Sequence, residues 1–140
     1  MDSEFEFVFD YRLVGRAVFN LVNNSLNAIN DSVKRGTLDF RREGYHIWVC
    51  VSVVVEGAFP EGGYCLIEVQ DDGPGIPEAV LRSLFTPNVI STTPGGTGIG
   101  TRFVKSVADV HGGKVGVESE VGTGARFWLQ LPLNRKVTLA

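Results

Sequence analysis

The chain has 140 residues and a formal charge of −3, with 44% apolar and 21% charged side chains. That balance fits one soluble globular domain large enough to bury a core, and it supplies no basic field to draw in nucleic acid. No apolar run reaches the roughly 18 residues that span a bilayer, and the acidic Met1-Asp2-Ser3-Glu4 is unlike a signal peptide.

Cys50 and Cys65 sit in apolar alternating runs and read as buried free thiols, which fits a reducing cytosol. His46 and His111 stand alone, so no metal cluster is expected.

Glu4-Phe5-Glu6-Phe7-Val8-Phe9 alternates with the period of a half-buried strand. Asp10 then caps a helix expected to run to about Ser32, with Gly36 as its stop. Val14, Val18, Leu21, Val22, Ser25 and Ile29 form the stripe to be buried. A second stripe carries Asn20, Asn24, Asn27 and Asp31, stacked at spacings of four, three and four. Five asparagines in eleven residues, Asn20 to Asn30, are a local cost in helix propensity. For Asn20 and Asn24, a polar stripe beside a glycine loop points to ligand contact.

Lys34 to Gly44 reads as a loop. His46 to Glu56 is β-branched and aromatic, hence a long strand, returning after a loop of about seven residues as Tyr64 to Gln70. Asp71-Asp72-Gly73-Pro74-Gly75-Ile76-Pro77 is too turn-rich to continue the sheet. Glu78 to Phe85 is a short helix, and Thr86 to Gly95 a loop with little to bury. Gly96, Gly98 and Gly100 lead into a helix from Thr97 to Val110, a pattern that offers free amides and a positive dipole end to an anion such as phosphate. Two more alternating strands, Lys114 to Glu120 and Ala125 to Leu133, close the chain. About five strands and three helices, partly segregated, predict an α+β two-layer sandwich with the helices on one sheet face.

The order of these motifs resembles the Bergerat-fold ATPases, which hold DNA gyrase B subunits, the ninety-kilodalton heat-shock chaperones, MutL repair proteins and sensor histidine kinases. Asn20-Leu21-Val22-Asn23-Asn24-Ser25-Leu26-Asn27-Ala28 resembles the asparagine box of the histidine-kinase catalytic ATP-binding domain. Leu84-Phe85-Thr86-Pro87 resembles its phenylalanine box, and His111-Gly112-Gly113 with Phe127-Trp128-Leu129-Gln130-Leu131-Pro132 its closing segments. The likeness covers about Phe7 to Leu133. It implies a mixed, mostly antiparallel five-stranded sheet, ATP and Mg²⁺ as cofactors, and the transfer of the γ-phosphoryl group.

The resemblance also implies roles for single residues. Asp71 would accept the adenine amine, and a carboxylate accepts stronger hydrogen bonds than a neutral group. Asn24 would give an oxygen to Mg²⁺, with Asn20 beside it, since magnesium needs few protein oxygens. Gly73 and Gly75 would let the backbone pass the base. Gly96, Gly98 and Gly100 would offer amides to the phosphates, and Phe85 would anchor a lid over ATP. Asn27, Ile76, Thr92, Thr93, Thr97, Ile99 and Thr101 complete the expected nucleotide contacts.

The departures are a missing lysine at Asn27, another missing from Ser91-Thr92-Thr93-Pro94, Ala125 in place of a threonine that commonly supports the adenine aspartate, and Thr101 in place of leucine. They imply weak ATP binding. Asn20 stands where hydrolysing members carry a general-base glutamate, which argues against a gyrase-like ATPase. The acceptor histidine would lie on a separate dimerisation domain, because His46 falls in a strand and His111 in a glycine motif. A downstream response regulator is the implied further partner. The catalytic half is expected to be a cytoplasmic monomer whose parent could be membrane-anchored. The alternatives are an anti-sigma-factor serine kinase of the same fold and a non-catalytic nucleotide-binding or interaction module.

Overall fold

The computed structural model describes residues 8–41, 43–55, 63–85 and 99–133. Helix α1 spans Tyr11–Arg35. Asp10 starts it as expected, accepting from the Arg12 and Leu13 amides at 3.0 and 3.2 Å. Gly36, at φ 75°, ends it by donating to the Ser32 and Val33 carbonyls, a conformation glycine adopts without steric cost. Lys34 and Arg35 in the last turn suit the negative end of the helix dipole, and carry α1 about a turn past the expected Ser32.

Strands β1 (Ile47–Val55) and β2 (Gly63–Asp71) pair antiparallel; α2 covers Glu78–Ser83 and α3 Ile99–Val110; β3 (Lys114–Glu120) and β4 (Gly124–Pro132) follow. The sheet order is β1-β2-β4-β3, every pairing antiparallel. Four strands are found among the described residues where about five in a mixed sheet were expected; the strand expected over 4–9 lies mostly outside those residues.

The core lies between the helices and the two central strands. Strict alternation puts Cys65, Ile67 and Val69 of β2 beside Leu131, Leu129 and Phe127 of β4 on one face, against Val14, Ala17 and Leu21 of α1 and Val104, Val107 and Ala108 of α3. Leu21, Leu129 and Leu131 are fully buried, so truncating any of them to alanine would cost about 2–5 kcal/mol. Opposite this face, Arg126 pairs with Glu68 and stacks over Trp128, and the Trp128 ring lies where a Gly116 side chain would stand.

β1 departs from expectation. It is the end strand of the sheet, and Val49, Val51 and Val53 remain exposed. Cys50 is therefore exposed and only Cys65 is a buried thiol, whose ionisation burial pushes upward. No helix among the described residues is long and apolar enough to cross a membrane.

Candidate functional site

Alternation along β2 decides where Asp71 goes. Cys65, Ile67 and Val69 face the helices, and Asp71 is the next residue in that row. It is 5% exposed, a carboxylate at the polar end of an apolar stripe. Burial of such a group demands partners, and the described residues supply three. The Ser25 hydroxyl donates to Oδ2 at 2.5 Å; the Gly73 and Ala125 amides donate to Oδ1 at 2.9 and 3.3 Å. Ser25 belongs to the buried stripe of α1, itself 2% exposed, so the helix's one buried hydroxyl meets the strand's one buried carboxylate. Sequence reading took Ser25 for packing. Its partner, 46 residues away, gives no local signal.

One residue before Ser25, Asn24 turns to the neighbouring side of α1 and is half-buried with Asn20. The start of α3 comes up against both. A Cβ built on Gly100 would lie 3.7 Å from the Asn24 Oδ1 atom and 3.8 Å from the Asn20 Cβ atom. Asp71 is thus tied to Ser25 of α1, and the residue before Ser25, Asn24, lies beside Gly100 of α3. Asn27 is exposed on α1, and Asp31 is engaged by Arg35 at 3.2 Å. Thr101 is buried in the first turn of α3. Thr92, Thr93, Gly96, Thr97 and Gly98 lie outside the described residues, and Ile99 opens α3.

The loop after Asp71 is fastened to the β3–β4 turn. Gly122 donates to the Pro74 carbonyl at 2.8 Å, and the Ile76 amide donates to the Ser119 hydroxyl at 2.8 Å, which donates on to the Gly124 carbonyl at 2.6 Å. This contact explains two glycines. At Gly75 (φ 76°) an added Cβ would stand 2.1 Å from the Glu120 carbonyl oxygen, and at Gly124 (φ 109°) 2.0 Å from that of Asp71. At Gly73 it would meet Ile29 at 2.7 Å. The fold itself thus requires these glycines, whatever else passes near them. A hollow of about 660 Å³ opens beside Asp71 on this side, walled by Leu81, Val117, Ser119 and Ala125.

Phe85 follows α2 with φ 65°, a left-handed conformation that is strained for a bulky aromatic residue and concentrated at functional sites. Its ring meets Phe127 edge-on, with centroids 6.2 Å apart. The core thus holds the point from which the chain departs into residues 86–98.

Both histidines have structural partners. The Asp10 amide donates to His111 Nε2 at 2.9 Å, which leaves Nδ1 to donate to the Val107 carbonyl at 2.8 Å; the ring ties the start of α1 to the end of α3. His46 lies 2.9 Å from Asp72 through Nδ1 and donates its amide to the same carboxylate at 2.7 Å, with Arg41 at 3.6 Å. Partial burial alone would raise the Asp72 carboxyl, but these His46 contacts outweigh it and hold the group below its ordinary value. Among the described residues no group of three His, Cys, Asp or Glu side chains could hold a metal ion.

Residues 9–135 match the family of histidine kinase-, DNA gyrase B-, and HSP90-like ATPases. The chain is 33% identical over 112 residues to the sensor protein GacS of Pseudomonas syringae pv. syringae, an overlap of 76% of this chain and 12% of GacS. Its fold matches the catalytic domain of the histidine kinase ThkA with a TM-score of 0.61 at 22% identity, covering 94% of this chain and 74% of that one. It matches full-length ShkA, solved in complex with AMPPNP, with a TM-score of 0.66 at 23% identity, covering 92% of this chain and 23% of ShkA. The chain thus spans only a small part of the sensor proteins that it resembles. The match over residues 9–135 takes in most of the chain: this chain belongs to the histidine kinase-, DNA gyrase B- and HSP90-like ATPase family, as a histidine kinase-like ATPase domain.

Proposed function

We propose that this domain binds Mg-ATP and donates its γ-phosphoryl group to a histidine on a separate dimerisation domain, for onward signalling to a response regulator. The observation that carries the reading is the buried Asp71 carboxylate, held by three donors, one of them Ser25, the neighbour in α1 of the Asn24 that lies beside Gly100. A fixed carboxylate at the end of an apolar stripe is suited to accept one amine hydrogen from a flat apolar base. The start of α3, twelve residues long, lies beside Asn24, and the backbone amides of a helix start favour phosphate.

Magnesium fits this donor set in one way. With no carboxylate or imidazole cluster among the described residues, the cation would be held by the neutral Asn24 oxygen, supported by Asn20 and by the oxygens of the nucleotide. When bound, it would neutralise phosphate charge during transfer. The chain's own part is positioning: Asp71 fixes the base, the α3 amides hold the phosphates, and Asn20 and Asn24 orient the metal end. His111 and His46 are engaged in structural contacts, which supports an acceptor on another domain.

Calorimetry with AMPPNP and Mg²⁺ on the wild-type chain and on Asp71→Asn tests the reading. Wild type is expected to bind, and Asp71→Asn to lose about tenfold or more in affinity, the scale of one hydrogen bond to a charged group. Equal affinity in the two proteins would remove Asp71 from the site, and no binding by wild type would leave only the interaction module. Labelled ATP and candidate partners, read as acid-labile or acid-stable phosphate, separate a histidine acceptor from a serine one.

A further inference from the structure

The three donors on Asp71 set how many hydrogen bonds it has left to accept. A carboxylate offers about four lone-pair sites. The Gly73 and Ala125 amides occupy those of Oδ1, and the Ser25 hydroxyl occupies one of Oδ2. One site remains. The two amides are backbone and cannot be varied by the sequence at their own positions. The Ser25 hydroxyl is the only side-chain donor of the three, and at position 125 the side chain is a methyl group with nothing to donate.

The two common purines make different demands on such a group. The pairing edge of adenine offers one amine donor beside a ring acceptor, so a single free site satisfies it. The same edge of guanine offers two adjacent donors, which together need two free acceptor sites. A carboxylate already held by Ser25 cannot take both, and guanine would bury one donor unpaired, a penalty of the kind by which polar sites reject near-isosteres.

We propose that Ser25 is a specificity-determining residue: by occupying Oδ2 of Asp71 it leaves a single acceptor, which selects adenine and excludes guanine. This rests on the nucleotide reading above, and Ser25 acts through Asp71 as a positioning residue. Its mid-helix place supports the assignment. A serine inside a helix commonly turns its hydroxyl back to a carbonyl of the preceding turn, whereas this one reaches a strand residue 46 positions away.

The test is the ratio of AMPPNP to GMPPNP affinity, measured with Mg²⁺ for wild type, Ser25→Ala, Ser25→Cys and Asp71→Asn, with thermal melting as a check on folding. Ser25→Ala is expected to lower the ratio about tenfold, by weaker adenine and stronger guanine binding. Ser25→Cys, which keeps the shape and a weak donor, is expected to fall between. A purely structural serine would lower the melting temperature and leave the ratio unchanged. If Asp71→Asn loses AMPPNP while both Ser25 variants keep the wild-type ratio, the proposal is overturned and the nucleotide reading stands. If wild type binds neither nucleotide, or Asp71→Asn binds AMPPNP as well as wild type, both are overturned.

Discussion

Glycines at the two ends of the site answer to different demands. Around Asp71, an added Cβ would strike protein at 2.7 Å from Gly73, 2.1 Å from Gly75 and 2.0 Å from Gly124. Beside Asn24, a Cβ on Gly100 would find its nearest neighbour at 3.7 Å, an ordinary contact. The first end is closed by backbone at Gly75 and Gly124 and by the Ile29 side chain at Gly73. At the second, no neighbour among the described residues excludes a side chain.

The contrast breaks first at Gly75. Gly75→Ala meets both a left-handed φ and the Glu120 carbonyl, so it should destabilise the domain by about 2–5 kcal/mol, the sum of a backbone penalty and overpacking. Denaturant unfolding reads this, and a loss under 1 kcal/mol would mean that the loop does not rest on the β3–β4 turn. Gly100→Ala should do the opposite to stability. In the first turn of α3 it should be neutral or stabilise by up to about 1 kcal/mol, while AMPPNP affinity falls. Unaltered affinity would detach the start of α3 from the nucleotide.

The smallest expected effect is acid sensitivity. Asp72 titrates below its ordinary 3.8, so it contributes stability that is present above 3.8 and fades as the pH falls through its lowered folded value. His46→Ala removes the contacts that lower it and should start acid unfolding at a higher pH than wild type. Coincident acid transitions would show that the His46–Asp72 pair does not tie β1 to the loop.

Much of this was legible in the sequence because it is local. The Asp10 and Gly36 caps, the asparagine stripe and the alternation of β2 and β4 are written in neighbouring residues, and the order of the glycine motifs carried the resemblance to the family. What was missed depends on long-range register. Ser25 read as packing because only the fold brings it to Asp71, and it donates the hydroxyl that Ala125 lacks. Cys50 read as buried because a run of β-branched residues looks alike in a central strand and an end strand; strand order decides exposure, and the β1 pattern does not encode it. Gly73 and Gly75 read as clearance for a ligand, and the close approach of the protein's own atoms is a further demand that the sequence did not show.

The most direct measurement is a backbone and side-chain amide titration by NMR with AMPPNP and Mg²⁺. The account requires the largest shifts at the Gly73, Ala125 and Gly100 amides and at the Asn24 side-chain amide, with the outer face around Trp128 and Arg126 silent. Shifts confined to that outer face, or to β1, would contradict it.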